Sequence, residues 1–219
     1  IFEISKKQGI RSVDKICHRM ELGKDTYTLG KIRPEMEEEL CRVLADFVRI
    51  MEGYRVDDYR ATASSAISEA SNSLYVLGKI HQLTGLSVTV LSNSEQRFLS
   101  YKALAAMEDN FNKIIEKGTA ILDLDGGSFQ ISLFDKDALV TTQNIRMGSL
   151  RIRERLAGIQ SETEHYEEMV EELIWNEVSS FKKMYLKDRK IENIMLIGDV
   201  FTDSVYQNIE EKTTKIISR

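Results

Sequence analysis

The apolar residues of this chain change period repeatedly, from every second residue to every third or fourth and back. That alternation restricts it to folds that interleave strands with helices. IFEIS (1–5) and GIRSVDKICHRMEL (9–22) read as paired strands, with GKDTYTLGK as a turn region between them and the next element. From Pro34 the spacing becomes helical, with Met36, Leu40, Val43, Leu44, Phe47, Ile50 and Met51 on one stripe and proline at a first helical turn. DDYRATA is a short strand, and SSAISEASNSLYVLGKIHQLTG is a helix closed by Gly85. LSVTVLS is a strand, and SNSEQRFLSYKALAAME is a helix opened by a Ser or Asn cap.

After a short segment ending at Gly118 the pattern restarts. TAILDLDGGSFQISLFDKDALVTTQNIRMG predicts three strands joined by tight turns. A helix with Tyr166, Met169, Val170, Leu173, Ile174, Val178, Phe181 and Met184 on one face follows, and then a buried strand in IENIMLIGD. The reading is α/β with mixed sheets in two similar units, residues 1–115 and 116–219. Each unit opens with an antiparallel meander.

Bulk properties remove several function classes. A formal net charge of −5 opposes a broad nucleic-acid-binding surface, which needs clustered Lys and Arg. No apolar run approaches a membrane span and no signal pattern opens the chain, so no membrane partner and a cytoplasmic setting are expected. Cys17 and Cys41 lack metal-ligand spacing and read as reduced core thiols. His18, His81 and His165 are scattered, and Trp175 with its Met and Phe neighbours reads as core packing. The chain opens on Ile1, inside a strand pattern and not on methionine, so the expectation is that its first strand is missing.

Within ILDLDGGSFQISLF (121–134), Gly126 and Gly127 let backbone N–H groups turn toward an anion without Cβ interference, and Ser128 adds a hydroxyl. Asp123 at the strand end is placed to hold a divalent cation. The same string also suits a plain hairpin, because Asp-Gly is a strong turn signal. Arg151 and Arg155 share a helix face, where they serve either a polyanion or a solvated pairing with nearby glutamates.

Four segments in order, RATASSAISEASN, SVTVLSNSEQRF, AILDLDGGSFQISLF and TTQNIRMGSLRIRERL, resemble the Ppx/GppA family of exopolyphosphatases and guanosine pentaphosphate phosphatases across nearly the whole chain. Its motifs run ATSAxREAxN, SGxEEAR, DIGGGSTE and a strand ending in a Gly-Leu/Val-Arg-Leu turn. The resemblance implies an actin-like, ribonuclease-H-like architecture of two domains with an interdomain cleft. It also implies Mg²⁺, or another divalent cation, and hydrolysis of phosphoanhydride bonds in polyphosphate or guanosine penta/tetraphosphate. A homodimer is the implied assembly.

Carried over by residue, Asp123 matches the metal-holding acid, and Gly126, Gly127 and Ser128 match the phosphate loop. Ser64, Ser65 and Asn72 fall in the first motif and Arg151 in the last, all as phosphate contacts. The catalytic glutamate falls on Glu95 if EQR is matched to EAR, or on Gln96 if the downstream helix is kept ungapped; Glu95 is favoured. Three departures weaken the site. Asp125 stands where glycine is usual and should repel a phosphate unless it turns away or binds metal. Ser68 replaces an arginine, and Gln130 replaces the closing glutamate, keeping its shape and hydrogen bonding but not its basicity. The family's first phosphate loop would precede Ile1, and its late glycine loop is reduced here to GDVFTD. Two function classes follow: a phosphoanhydride hydrolase, or a non-catalytic module that binds polyphosphate or nucleotide.

Overall fold

The opening segment forms β1 (Phe2–Ser5), paired antiparallel with β2 (Gly9–Ser12) so that Ile4 stands opposite Ile10. The computed structural model describes residues 1–7, 9–160, 165–198 and 214–217. The chain divides into two compact units, Ile1–Ser92 and Asn93–Arg219.

In the first unit, β2 stops at Ser12, well short of the strand expected through residue 22. The segment expected as a turn is instead helix α1 (Leu22–Leu29). Local propensity loses here to tertiary bonds. Thr26 Oγ1 donates to the Ala66 carbonyl at 2.6 Å, and the buried Asp25 carboxylate accepts from the Arg33 backbone N–H and guanidinium at 2.9–3.0 Å. Gly30 ends the helix at φ 70°, a left-handed conformation that suits glycine.

Helix α2 (Pro34–Gly53) begins at the expected proline. Strand β3 (Ala61–Ala63) pairs parallel with β4 (Val88–Val90), Ala61 opposite Val88. The single helix expected between them is two, α3 (Ser65–Ser68) and α4 (Ser73–Thr84), the latter closed by Gly85 as expected. Asn72 lies at the break. Its side chain accepts from Ile32 N at 3.0 Å and donates to Ile32 O at 2.8 Å and Glu37 Oε1 at 2.9 Å. Ile32, Leu40, Cys41, Ile67, Val76 and Ile80 form the core of this unit. Cys41 is thus a core thiol as expected, and burial raises its pKa, whereas Cys17 is exposed.

The second unit begins with α5 (Asn93–Met107) and α6 (Phe111–Ile115). Both helices group with the later strands, so the expected boundary at 115/116 falls inside this unit. Strands β5 (Thr119–Leu124), β6 (Phe129–Asp135) and β7 (Ala138–Ile145) form the expected meander. Helices α7 (Ser149–Gln160) and α8 (Tyr166–Tyr185) precede β8 (Asn193–Ile197) and β9 (Thr214–Ile217). The sheet order is β7-β6-β5-β8-β9; β5, β8 and β9 run parallel, and β6 is antiparallel to both neighbours.

Strand alternation gives this sheet two apolar faces. Ile121, Phe134, Met195 and Ile197 pack with Leu104, Phe111 and Ile115 of α5 and α6. Phe129, Ile131, Leu133 and Ile145 pack with Phe181 of α8 on the other face. Trp175 does not join that core: it is 59% exposed, with Lys182 Nζ 5.6 Å from its ring centroid. No helix among the described residues is long and apolar enough to cross a membrane.

Candidate functional site

Register places the polar residues of the meander in one row. Asp123 on β5 faces Gln130 on β6, which faces Asn144 on β7. The next row on the same face is Ile121, Ser132 and Thr142. Side chains two residues apart share a face, so polar groups here continue the apolar floor under α5. Helix α5 covers them with one helical stripe, Asn93, Gln96, Arg97 and Ser100. Asn93, Gln96 and Arg97 line a small polar cleft together with Asp123, Asp125, Ser128, Gln130 and Asn144.

The hydrogen bonds of this cleft are specific. Ser100 Oγ donates to Asp123 Oδ2 at 3.1 Å. Arg97 reaches Thr142 Oγ1 at 3.1 Å and Ser94 Oγ at 3.0 Å. Tyr101 OH donates to Ser132 Oγ at 2.5 Å, and Ser132 Oγ lies 3.1 Å from Thr142 Oγ1. Burial raises the Tyr101 pKa, and its hydrogen bond to Ser132 and the nearby Arg97 charge only partly oppose that. Gln130 is 9% exposed, and its side chain makes no hydrogen bond among the described residues. Asn144 Oδ1 is likewise buried without a partner among them. Buried polar groups are rarely left unpaired, and among the described residues Gln143 Oε1 is the other such side-chain atom.

The bend after β5 closes on itself. Asp125 N donates to Ser128 O at 3.1 Å. The Asp125 carboxylate turns inward: Oδ1 accepts from Gly127 N at 2.7 Å and Ser128 N at 3.0 Å, and Oδ2 accepts from Gln96 Nε2 at 3.2 Å. The start of α7 grips the outer side. Ser149 N and Arg151 N donate to the carbonyls of Asp125 and Gly126, and Arg151 Nε donates to Gly127 O at 2.9 Å. Arg151 therefore braces the loop through its carbonyls, where the sequence suggested a phosphate contact.

The structure thus brings together Asp123, Gly126, Gly127, Ser128, Gln130 and Arg151. Glu95 is exposed and does not line the cleft. Gln96, the ungapped alternative, takes the cleft-facing position about 100° away around the helix. Ser64, Ser65 and Asn72 belong to the first unit. Ser64 precedes α3, Ser65 Oγ lies 3.0 Å from Tyr27 OH, and the Asn72 amide is engaged with Ile32 and Glu37. Gly198 packs against the Leu124 carbonyl with φ 148°, and the remainder of GDVFTD lies outside the described residues. Arg97, Ser100 and Asn144 receive no role from the sequence. Their signal is the helical spacing of Asn93, Gln96, Arg97 and Ser100 and the alternation that puts Asn144 level with Gln130.

A larger cavity of about 520 Å³ in the first unit is mostly apolar, lined by residues such as Leu40, Phe47 and Met51, and lacks a comparable polar constellation.

Two α/β units, one with a mixed sheet whose meander bend meets a helix over a polar cleft, define a protein of the actin-like, ribonuclease-H-like class. The profile of the Ppx/GppA phosphatase family matches residues 1–219, and the chain belongs to that family. A bifunctional 3-dehydroquinate synthase/phosphatase of Fusobacterium nucleatum is 21% identical over 211 residues, covering 92% of this chain and 30% of that protein. Exopolyphosphatase 1 of Mycobacterium leprae is 29% identical over 108 residues, 49% of this chain and 30% of its own length. The crystal structure of the Aquifex aeolicus family member superposes with a TM-score of 0.64 at 20% identity, covering 90% of this chain and 60% of that one. The chain thus spans 30% of the length of the curated relatives and about 60% of that solved structure.

Proposed function

We propose that the protein cleaves terminal phosphoanhydride bonds of inorganic polyphosphate, and that the Asp123 cleft handles the phosphoryl group. Family membership supports phosphoanhydride chemistry. The observation that carries the reading is the cross-strand row of Asp123, Gln130 and Asn144 beside the Gly126–Ser128 bend, with the side-chain Oδ1 of Asn144 buried and unpartnered among the described residues.

A divalent ion of the Mg²⁺ type takes one or two carboxylates and fills its sphere with water and substrate phosphate oxygens. The described residues contain no group of three or more His, Cys, Asp or Glu that could cage a metal. The nearly buried Asp123 carboxylate fits an ion carried in with the substrate. When bound, such an ion offsets charge developing on the phosphoryl oxygens. Ser100 holds Asp123 in place, Arg97 supplies a positive charge at the cleft, and the Gln96 and Gln130 amides can orient water by hydrogen bonding. Neither amide can take up a proton as a base.

That last property favours a second reading, in which the cleft binds a polyphosphate or a guanosine penta/tetraphosphate without turning it over. The test measures phosphate release from polyphosphate and from guanosine pentaphosphate with Mg²⁺, alongside binding of Mg²⁺-tripolyphosphate. Release that is lost in Asp123→Asn and retained in Glu95→Gln supports the hydrolase. Binding without release leaves the module, and the absence of both eliminates both readings.

A further inference from the structure

We propose that Asp125 is a built-in competitor for the phosphoryl group, its carboxylate occupying the amide donors that an anion would use. The proposal rests on the phosphate-site reading above and goes beyond it, because it concerns a side chain that the site does not need for chemistry.

The bend offers its N–H groups at Gly127 and Ser128 to one oxygen, and that oxygen is Asp125 Oδ1, at 2.7 and 3.0 Å. A carboxylate receiving two backbone N–H groups is the interaction such a bend would give a phosphate oxygen. A side chain that only closes a hairpin would be satisfied by these bonds alone. Here the second oxygen is also held, by Gln96 Nε2 from α5 at 3.2 Å, a contact across 29 residues of chain.

Two further observations point to a ligand and not to a plain turn. Gln130 is 9% exposed and Asn144 Oδ1 is buried, and both line the same cleft without hydrogen-bond partners among the described residues. The volume left in the cleft is about 10 Å³, room for roughly one water and too little for a phosphoryl group. With Asp125 inward, the polar wall is built and the space is taken. With Asp125 turned out, the amides of Gly127 and Ser128 become available and two like charges no longer meet at the loop.

Gly126 and Gly127 leave the phosphate route intact in the backbone, and Arg151 and the start of α7 hold the carbonyl side of the bend whichever way Asp125 points. Affinity is then the intrinsic affinity multiplied by the fraction of molecules with the carboxylate out. Asp125 sets a threshold: a ligand with several linked phosphoryl groups and a bound cation displaces it more readily than orthophosphate does.

The test titrates the ¹⁵N-labelled chain with sodium tripolyphosphate in the presence of Mg²⁺, and separately with orthophosphate. Wild type, Asp125→Gly, Asp125→Asn and Gln96→Ala are compared. Asp125→Gly is expected to bind tripolyphosphate at least about tenfold more tightly, with the Gly127 and Ser128 amide resonances moving most. Asp125→Asn, which keeps the turn but not the charge, should gain less, and Gln96→Ala about two- to threefold. If Asp125→Gly does not fold, the other two variants decide the matter. Equal affinities across the series overturn the competitor and leave the phosphate site standing. Absence of tripolyphosphate binding in every folded variant overturns both.

Discussion

Gly148 lies directly against Gly126: a Cβ built on Gly148 would stand 2.4 Å from the Gly126 carbonyl carbon, and equally close to Ser128 N. All the obstructing atoms are backbone, so nothing can rotate away. Gly148→Ala is expected to push α7 off the bend and to destabilise the second unit by about 1–3 kcal/mol, as overpacking does. Gly126→Ala meets only Leu150, its Cβ at 3.4 Å, and should be nearly neutral. Urea denaturation of the two variants checks the contrast; equal midpoints would show that α7 does not rest on the loop.

Asn72 ties two distant segments of the first unit together. Its amide satisfies both backbone groups of Ile32 and also donates to Glu37, which is 3% exposed. Asn72→Ala leaves these groups unpaired in a buried setting and should destabilise by about 1–3 kcal/mol. Tripolyphosphate affinity should stay unchanged in the folded variant. A loss of affinity with unchanged stability would return Asn72 to the ligand-binding role its motif suggests.

The meander of the second unit is legible in the sequence because period-two alternation and glycine turns act locally, and the α2 stripe is legible because proline and helical spacing agree. What escapes depends on contacts distant in sequence. Residues 22–29 carry Gly23 and two threonines, weak helix formers, and are helical where Thr26 and Asp25 are bonded from outside. The charge of Asp125 beside the two glycines is visible in the sequence, but not that its carboxylate turns into the amides of Gly127 and Ser128. Glu95 and Gln96 differ by one residue of helical phase, and it is packing of α5 over the Asp123 row that turns Gln96 to the cleft and leaves Glu95 exposed. Trp175 shows the reverse error: an apolar stripe implies a partner, and among the described residues this side chain stays largely exposed.

Tyr101 makes stability depend on pH. Burial raises its pKa, so the folded state keeps the phenol protonated beyond the unfolded value near 10. A group whose pKa is raised on folding contributes stability that is fully present below the unfolded pKa and is lost as pH climbs through the folded one. Wild type should therefore lose more stability than Tyr101→Phe as pH rises above about 10. At neutral pH the variant should be the less stable by about 0.5–1.5 kcal/mol, the hydrogen bond to Ser132 being gone. Denaturation midpoints at neutral and alkaline pH check both signs, and parallel curves would refute the assignment.

Gln130 stands directly opposite Asp123 across the β5–β6 ladder, and both are nearly buried. Gln130→Glu sets two carboxylates side by side, where like charges destabilise a strand pair. The variant should melt below wild type in the absence of divalent ions. Two convergent carboxylates also form a better Mg²⁺ ligand set than one, and an ion that binds only the folded state raises its stability in proportion to the logarithm of its concentration. Millimolar Mg²⁺ alone should therefore recover the melting temperature of the variant while leaving wild type, with Asp123 and the amide, almost unmoved. Equal Mg²⁺ responses would mean that the row does not converge on one ion position, and the role given to Asp123 would go with it.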